Sequence, residues 1–204
     1  MNSDKHEYLP NPSAAERKRW WLLCYAYTSM EKVIQCCQMI EYLCPDNRHP
    51  LFSPLTVAVH AYYSRPFQRK KGAGKLSADL IPKERTGVHS WLLHFRDCVL
   101  VHTDAEKSEI AGRPMHDVVY SLDETGREFS TSDPLPRVES YTDAKAHCVA
   151  MAKIFRTKIL TLEAQYSHLL PAEHGHFLMS LIDSEMLFVP HILPVSDTLH
   201  YHGT

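Results

Sequence analysis

From Ser13 to Leu43 an apolar or small residue returns every three or four positions: Leu22, Tyr25, Ser29, Val33, Cys36, Ile40 and Leu43. That spacing is one face of a long amphipathic helix. At ~1.5 Å per residue the helix is roughly 45 Å long, and its apolar face needs partners of comparable length. Pro12 and Ser13, with Glu16 three residues on, predict its start as a capping box. Cys44-Pro45-Asp46-Asn47 predicts its end. The 204 residues include only 7 glycines, which suits long helices better than a turn-rich β fold.

Three further helices follow from the same reasoning. One begins near Ser53-Pro54 and runs through Val57, His60, Ala61 and Tyr63 to Ser64, where Arg65-Pro66-Phe67 stops it. A third spans Pro82 or Lys83 to Asp104, with Val88, Trp91, Leu92, Phe95, Val99 and Leu100 on its buried side. A fourth runs from Val138 to Leu170 on a stripe of Tyr141, Ala144, Cys148, Met151, Phe155, Leu162, Tyr166 and Leu169. Between the third and fourth, Val118-Val119-Tyr120 and Phe129 flank Glu124-Thr125-Gly126 and read as a β-hairpin insertion, about residues 114–134. The expected architecture is all-α, a four-helix bundle with that insertion. The bundle domain covers residues 1–170. A C-terminal extension covers 171–204, with five histidines, no Lys or Arg, and one short helix near Phe177 to Ile182.

Charge narrows the partners. Lys plus Arg number 22 and Asp plus Glu 24, for a net charge of -2. This argues against a histone-like polycation and leaves room for a local basic patch. Residues 65–75 supply one: Arg65, Arg69, Lys70, Lys71 and Lys75 occur there without an acid. Such a run is either a solvated loop or a phosphate-contacting surface. The N-terminal residues lack the apolar core of a secretory signal, and the apolar run Met186 to Val195 is too short and too interrupted to span a bilayer. The cytoplasm is the expected compartment and no membrane the expected partner. The 6 cysteines form no CxxC pair and are expected reduced, as small apolar residues.

The stretch His94-Phe95-Arg96-Asp97-Cys98-Val99-Leu100-Val101-His102-Thr103-Asp104 carries the chemistry. An Arg, an Asp beside it and a His six positions later lie near the end of the third predicted helix. In Arg96, Asp97 and His102, with Tyr62-Tyr63-Ser64-Arg65-Pro66-Phe67 upstream, residues 13–170 resemble the HEPN superfamily, in particular its abortive-infection-type bacterial members. The resemblance implies a HEPN-like helical bundle and a metal-independent endoribonuclease of toxin or anti-phage type. It implies no cofactor, RNA as substrate, a homodimer, and a cognate antitoxin or other protein partner. Cleavage would proceed by attack of a ribose 2′-hydroxyl on the adjacent phosphate. The side chains suit that reaction. An imidazole near neutral pKa exchanges the proton, a guanidinium pairs with phosphate oxygens as charge builds, and Asp97 orients Arg96 or polarises a neighbour. Arg65, Arg69, Lys70 and Lys71 are the candidate RNA-backbone contacts.

Six helical residues separate Arg96 and His102 by ~9 Å along the axis and ~240° around it. On one intact helix they do not converge on one phosphate. Either the helix frays at His102, or a second copy completes the site across a two-fold interface, the solution the resemblance implies. A structural reading competes: Arg96 as an ion-pair partner of Asp97 or of another acid, and His102 as a cation at a helix C-terminus. A metal reading places His94, Cys98 and His102 on one helical stripe, spread ~12 Å along the axis, with further ligands from His89, His147 or the tail. The tail histidines His174, His176, His191, His200 and His202 read as solvated residues. The function class that competes with the nuclease is a non-catalytic helical interaction module binding a protein or a nucleotide.

Overall fold

The computed structural model describes residues 11–69, 74–96, 109–110, 113–114, 118–123, 126–131, 136–173, 177–179 and 188–190. Helix dominates these residues, and four helices pack on one core.

Helix α1 (Ala14–Leu43) starts where Ser13 accepts the amide N–H of Glu16 at 3.3 Å and the Glu16 carboxylate accepts the Ser13 N–H at 2.9 Å. This reciprocal pair satisfies two amides that the helix itself cannot. Helix α2 spans Phe52–Ser64, α3 Thr86–Phe95 and α4 Ser140–Gln165. Helices α1 and α4 run antiparallel. Tyr166 donates to the Glu16 carboxylate at 2.7 Å at one end, while Thr142 and Lys145 both bond Glu41 at the other. Helices α2 and α3 are antiparallel too, because His60 meets Leu92 and Tyr63 meets His89.

The core is built from Leu23, Ala26, Met30, Val33, Cys37 and Ile40 of α1, and Phe52, Val59 and Tyr63 of α2. Leu92 of α3 joins them, as do Tyr141, Ala144, Cys148, Met151, Phe155 and Ile159 of α4. On α1 the expected stripe is buried at Leu22, Ser29, Val33 and Ile40 and widened by Leu23, Ala26, Met30 and Cys37, while Tyr25 and Cys36 are half-buried and Leu43 is exposed. A helix sandwiched between α2 and α4 needs a wider apolar arc than one stripe supplies. Val57, expected inside, is likewise exposed.

Helix α3 begins later than Pro82. Pro82 is extended, Lys83–Arg85 form a 3₁₀ turn, and the Thr86 hydroxyl donates to the Lys83 carbonyl at 2.9 Å. The α2–α3 connection is pinned by Leu76, buried, whose N–H donates to the Pro66 carbonyl at 2.9 Å. Gly74 turns the chain there at φ 85, a left-handed conformation that disfavours any side chain.

Val118–Asp123 pairs antiparallel with Gly126–Thr131, Asp123 facing Gly126. The short helix expected near Phe177 to Ile182 is corrected: Phe177–Met179 is a strand paired antiparallel with Phe188–Pro190. A short apolar run cannot be told from a buried helical turn by periodicity, and aromatic and β-branched residues favour the pleated form. The expected continuation of α3 to Asp104, with Val99 and Leu100, lies outside the described residues.

Candidate functional site

Two clusters of polar groups stand on the bundle, one at the surface and one buried. The surface cluster forms where α2 ends. Arg65 keeps helical dihedrals and leads into a 3₁₀ turn, Arg65–Phe67, in which Pro66 is buried. The Arg65 guanidinium lies 4.6 Å from the centre of the Tyr62 ring, and the Lys32 ammonium, from α1, lies 5.6 Å from the same centre. Lys32, Arg65 and Arg69 are exposed, and Tyr62 is half-buried.

Arg96 joins this cluster from α3. It caps the helix with φ -60 and ψ -47 and is half-buried. The Gln68 side-chain amide, turned so that its oxygen faces the guanidinium, accepts from it at 2.7 to 3.0 Å. The motif arginine is thus fixed to the residue that ends the Arg65–Phe67 turn and precedes Arg69. Gln68 is neutral, so this contact orients the guanidinium without cancelling its charge. Asp97 and His102 lie outside the described residues, as do Lys70 and Lys71.

The buried cluster was not legible as a site. The Tyr63 phenol lies 2.6 Å from Nδ1 of His89 and 2.8 Å from Nε2 of His147. His60 places Nδ1 2.9 Å from the Leu92 carbonyl and Nε2 3.3 Å from the Tyr141 phenol. A carbonyl only accepts, so His60 carries its proton on Nδ1, and Nε2 accepts from Tyr141. Tyr63 has one proton for two imidazoles, so it donates to one and accepts from the other. Nδ1 of His147 is buried without a partner. A bare lone pair there costs less than an orphaned N–H. Hence Nε2 of His147 donates to Tyr63, and Tyr63 donates to His89.

Burial holds these groups neutral. It pushes His60 and His147 down to about 4 and lowers His89, and it raises both phenols. A second cause acts on His147: the nearby His89 and Arg85 disfavour its cation. The signal for this cluster was present in sequence, because His60 and Tyr63 stand on the same stripe as Phe52 and Val59. Polar atoms on a buried stripe need partners.

Of the auxiliary ligands of the metal reading, His89 and His147 are engaged by Tyr63. Among the described residues no group of three His, Cys, Asp or Glu is placed to hold an ion. His94 is exposed on the last turn of α3, while Cys98, His102 and the tail histidines lie outside the described residues. Cys24, Cys36, Cys37, Cys44 and Cys148 are free thiols. Burial pushes Cys37 up to about 12 and Cys148 well above its ordinary value, so both are unreactive packing residues. Cys44 is tied to His49, Sγ to Nδ1 at 3.5 Å, within the α1–α2 connection.

A groove between the starts of α3 and α4 is lined by Gly87, Val88, Trp91, Ser140 and Asp143, at the far end of α3 from Arg96. No helix among the described residues is long and apolar enough to cross a membrane. Comparison with protein-family models, with curated proteins and with solved structures finds no match for this chain.

Proposed function

We propose that the chain is a HEPN-type, metal-independent endoribonuclease of toxin or anti-phage character, acting as a homodimer in the cytoplasm. The observation that carries this reading is the attachment of Arg96 to Gln68. It gathers the motif arginine, Arg65 and Arg69 at one solvent-facing corner of the bundle, which is what a polyanionic substrate requires. In the proposed reaction a ribose 2′-oxygen attacks the adjacent phosphorus and loses its proton to a general base. The P–O5′ bond breaks and O5′ takes up a proton. The products are a 2′,3′-cyclic phosphate and a 5′-hydroxyl. Arg96 stabilises the charge gathered on the non-bridging oxygens, His102 exchanges the proton, and Asp97 is a supporting polar residue. Arg65, Arg69, Lys70 and Lys71 hold the strand. A hairpin inserted between α3 and α4 remains part of this proposal.

The test is cleavage of a mixed-sequence RNA in the presence of EDTA by wild type, Arg96→Ala and His102→Ala. We expect cyclic-phosphate ends from wild type and loss of cleavage in both variants. Equal activity in all three, or abolition by EDTA, overturns the assignment. A second reading, a non-catalytic module that docks a protein, is favoured by Met39, Tyr42 and Leu43, which leave apolar surface exposed at the end of α1, Tyr42 at 88%.

A further inference from the structure

The two cations that share the Tyr62 ring come from different helices, and neither has a structural duty in the core. Among the described residues no carboxylate pairs with Lys32 or Arg65. Glu31, next to Lys32 in sequence, acts on the Tyr27 phenol, which it raises above its ordinary value. The charge in the chain around Arg65 is one-sided as well: residues 47–78 contain no Asp or Glu. A cation over a ring face is held by the quadrupole, which engages the flat side and leaves the N–H donors free. Side chains that would otherwise lose rotamer entropy on binding an anion are thereby already restrained.

We propose that Lys32 and Arg65, positioned by Tyr62, form a clamp for neighbouring phosphates of a single-stranded polyribonucleotide, beside Arg96. This rests on the reading of the chain as RNA-binding and adds Lys32 and Tyr62 to its binding surface. Both cations lie within 6 Å of the same ring centre, so they can engage adjacent phosphates of one strand. The ring is occupied by cations, so Tyr62 is a positioning residue and not a platform for base stacking. Gln68, three positions beyond Arg65, bonds Arg96, so a strand held by the clamp leads to the motif arginine.

The test is binding, not cleavage. A fully 2′-O-methylated single-stranded oligoribonucleotide cannot react, and its affinity for the full chain is measured against salt. For a single strand each lost phosphate contact lowers the slope of log K against log salt by about 0.7. Lys32→Ala and Arg65→Ala are each expected to lower the slope by that amount and weaken binding on the order of tenfold at low salt. Tyr62→Phe keeps the ring and is expected to bind as wild type. Tyr62→Leu is expected to behave like loss of one cation. Circular dichroism and melting temperature identify any variant that misfolds, and Lys32→Gln serves as a second, shape-preserving variant.

If wild type cleaves RNA but the Lys32 and Arg65 variants bind with unchanged slope, the clamp fails and the nuclease reading stands. If wild type does not cleave but binds with clamp-dependent slope, the clamp stands and the nuclease reading fails. No binding to the oligonucleotide overturns the clamp. So does clamp-dependent binding to vesicles containing phosphatidylserine in its place.

Discussion

Arg96 and Tyr63 make opposite demands on their surroundings. Arg96 is oriented through a neutral amide, so its geometry matters as much as its sign. A lysine restores the charge but not the planar fork. We expect Arg96→Lys to lose most of the cleavage that Arg96→Ala loses, on the order of 10²-fold or more, with chain stability nearly unchanged; kcat measured beside urea unfolding separates the two effects. Tyr63 is a polar atom in the core, and its value lies in satisfying two imidazoles. Tyr63→Phe keeps the ring and orphans the His147 N–H. The expected cost is about 1–3 kcal/mol of unfolding free energy, read as a lower urea midpoint at constant slope. Full stability in that variant would show that His147 has another partner.

Helix α3 is the element most dependent on these bonds. It is ten residues long, too short to be stable alone. Its attachment to α2 and α4 passes through His60, His89 and His147, which are neutral in the folded chain. The sign of the pH effect follows. An unfolded histidine takes a proton near its ordinary value of about 6.5, while His60 and His147 resist until about 4. Between those values the unfolded state binds more protons, so stability is complete above about pH 6.5 and falls as pH drops toward 4, by up to about 1.4 kcal/mol per pH unit for each histidine. Urea unfolding from pH 7.5 to 4.5 measures the slope. His60→Gln, which bonds but does not titrate, is expected to remove one histidine's share. What was legible at this scale follows from range. The start of α1 and the stripe of α4 depend on neighbours three or four residues away, so Ser13, Glu16, Cys148 and Phe155 could be read directly. The His60–Leu92 and Tyr63–His147 bonds join residues 32 and 84 positions apart. Nothing local specifies them. The start of α3 lies later than the sequence predicts because Pro82 suits either a helical first turn or the extended residue it is. Arg96 was identifiable by residue type and its partner Gln68 was not, since that contact exists only once α2 and α3 are antiparallel.

For the whole molecule the open quantity is how many chains make one site. A single bundle offers Arg96 beside Arg65 and Arg69 at one corner. In the proposed reading, the spacing of Arg96 and His102 that the sequence predicts has one copy's imidazole serve the other copy's guanidinium. That arrangement has a consequence no single-chain site shares. Arg96→Ala and His102→Ala are each expected to be inactive as homodimers. When equal amounts are mixed and allowed to exchange, about half of the dimers are mixed. Each mixed dimer keeps one site of two, with Arg96 from one chain and His102 from the other, and total cleavage returns to about a quarter of wild type. Sedimentation of the same mixture at the mass of two chains establishes that the exchange partners are dimers. A site built within one chain gives no recovery at any ratio, because neither variant chain holds both groups. A mixture that sediments as dimers and stays at background therefore rejects the shared site while leaving open a frayed helix that brings His102 back to its own Arg96. Activity that falls in proportion to dilution of the dimer into monomers supports the shared site from the other direction, since it ties the chemistry to the interface itself.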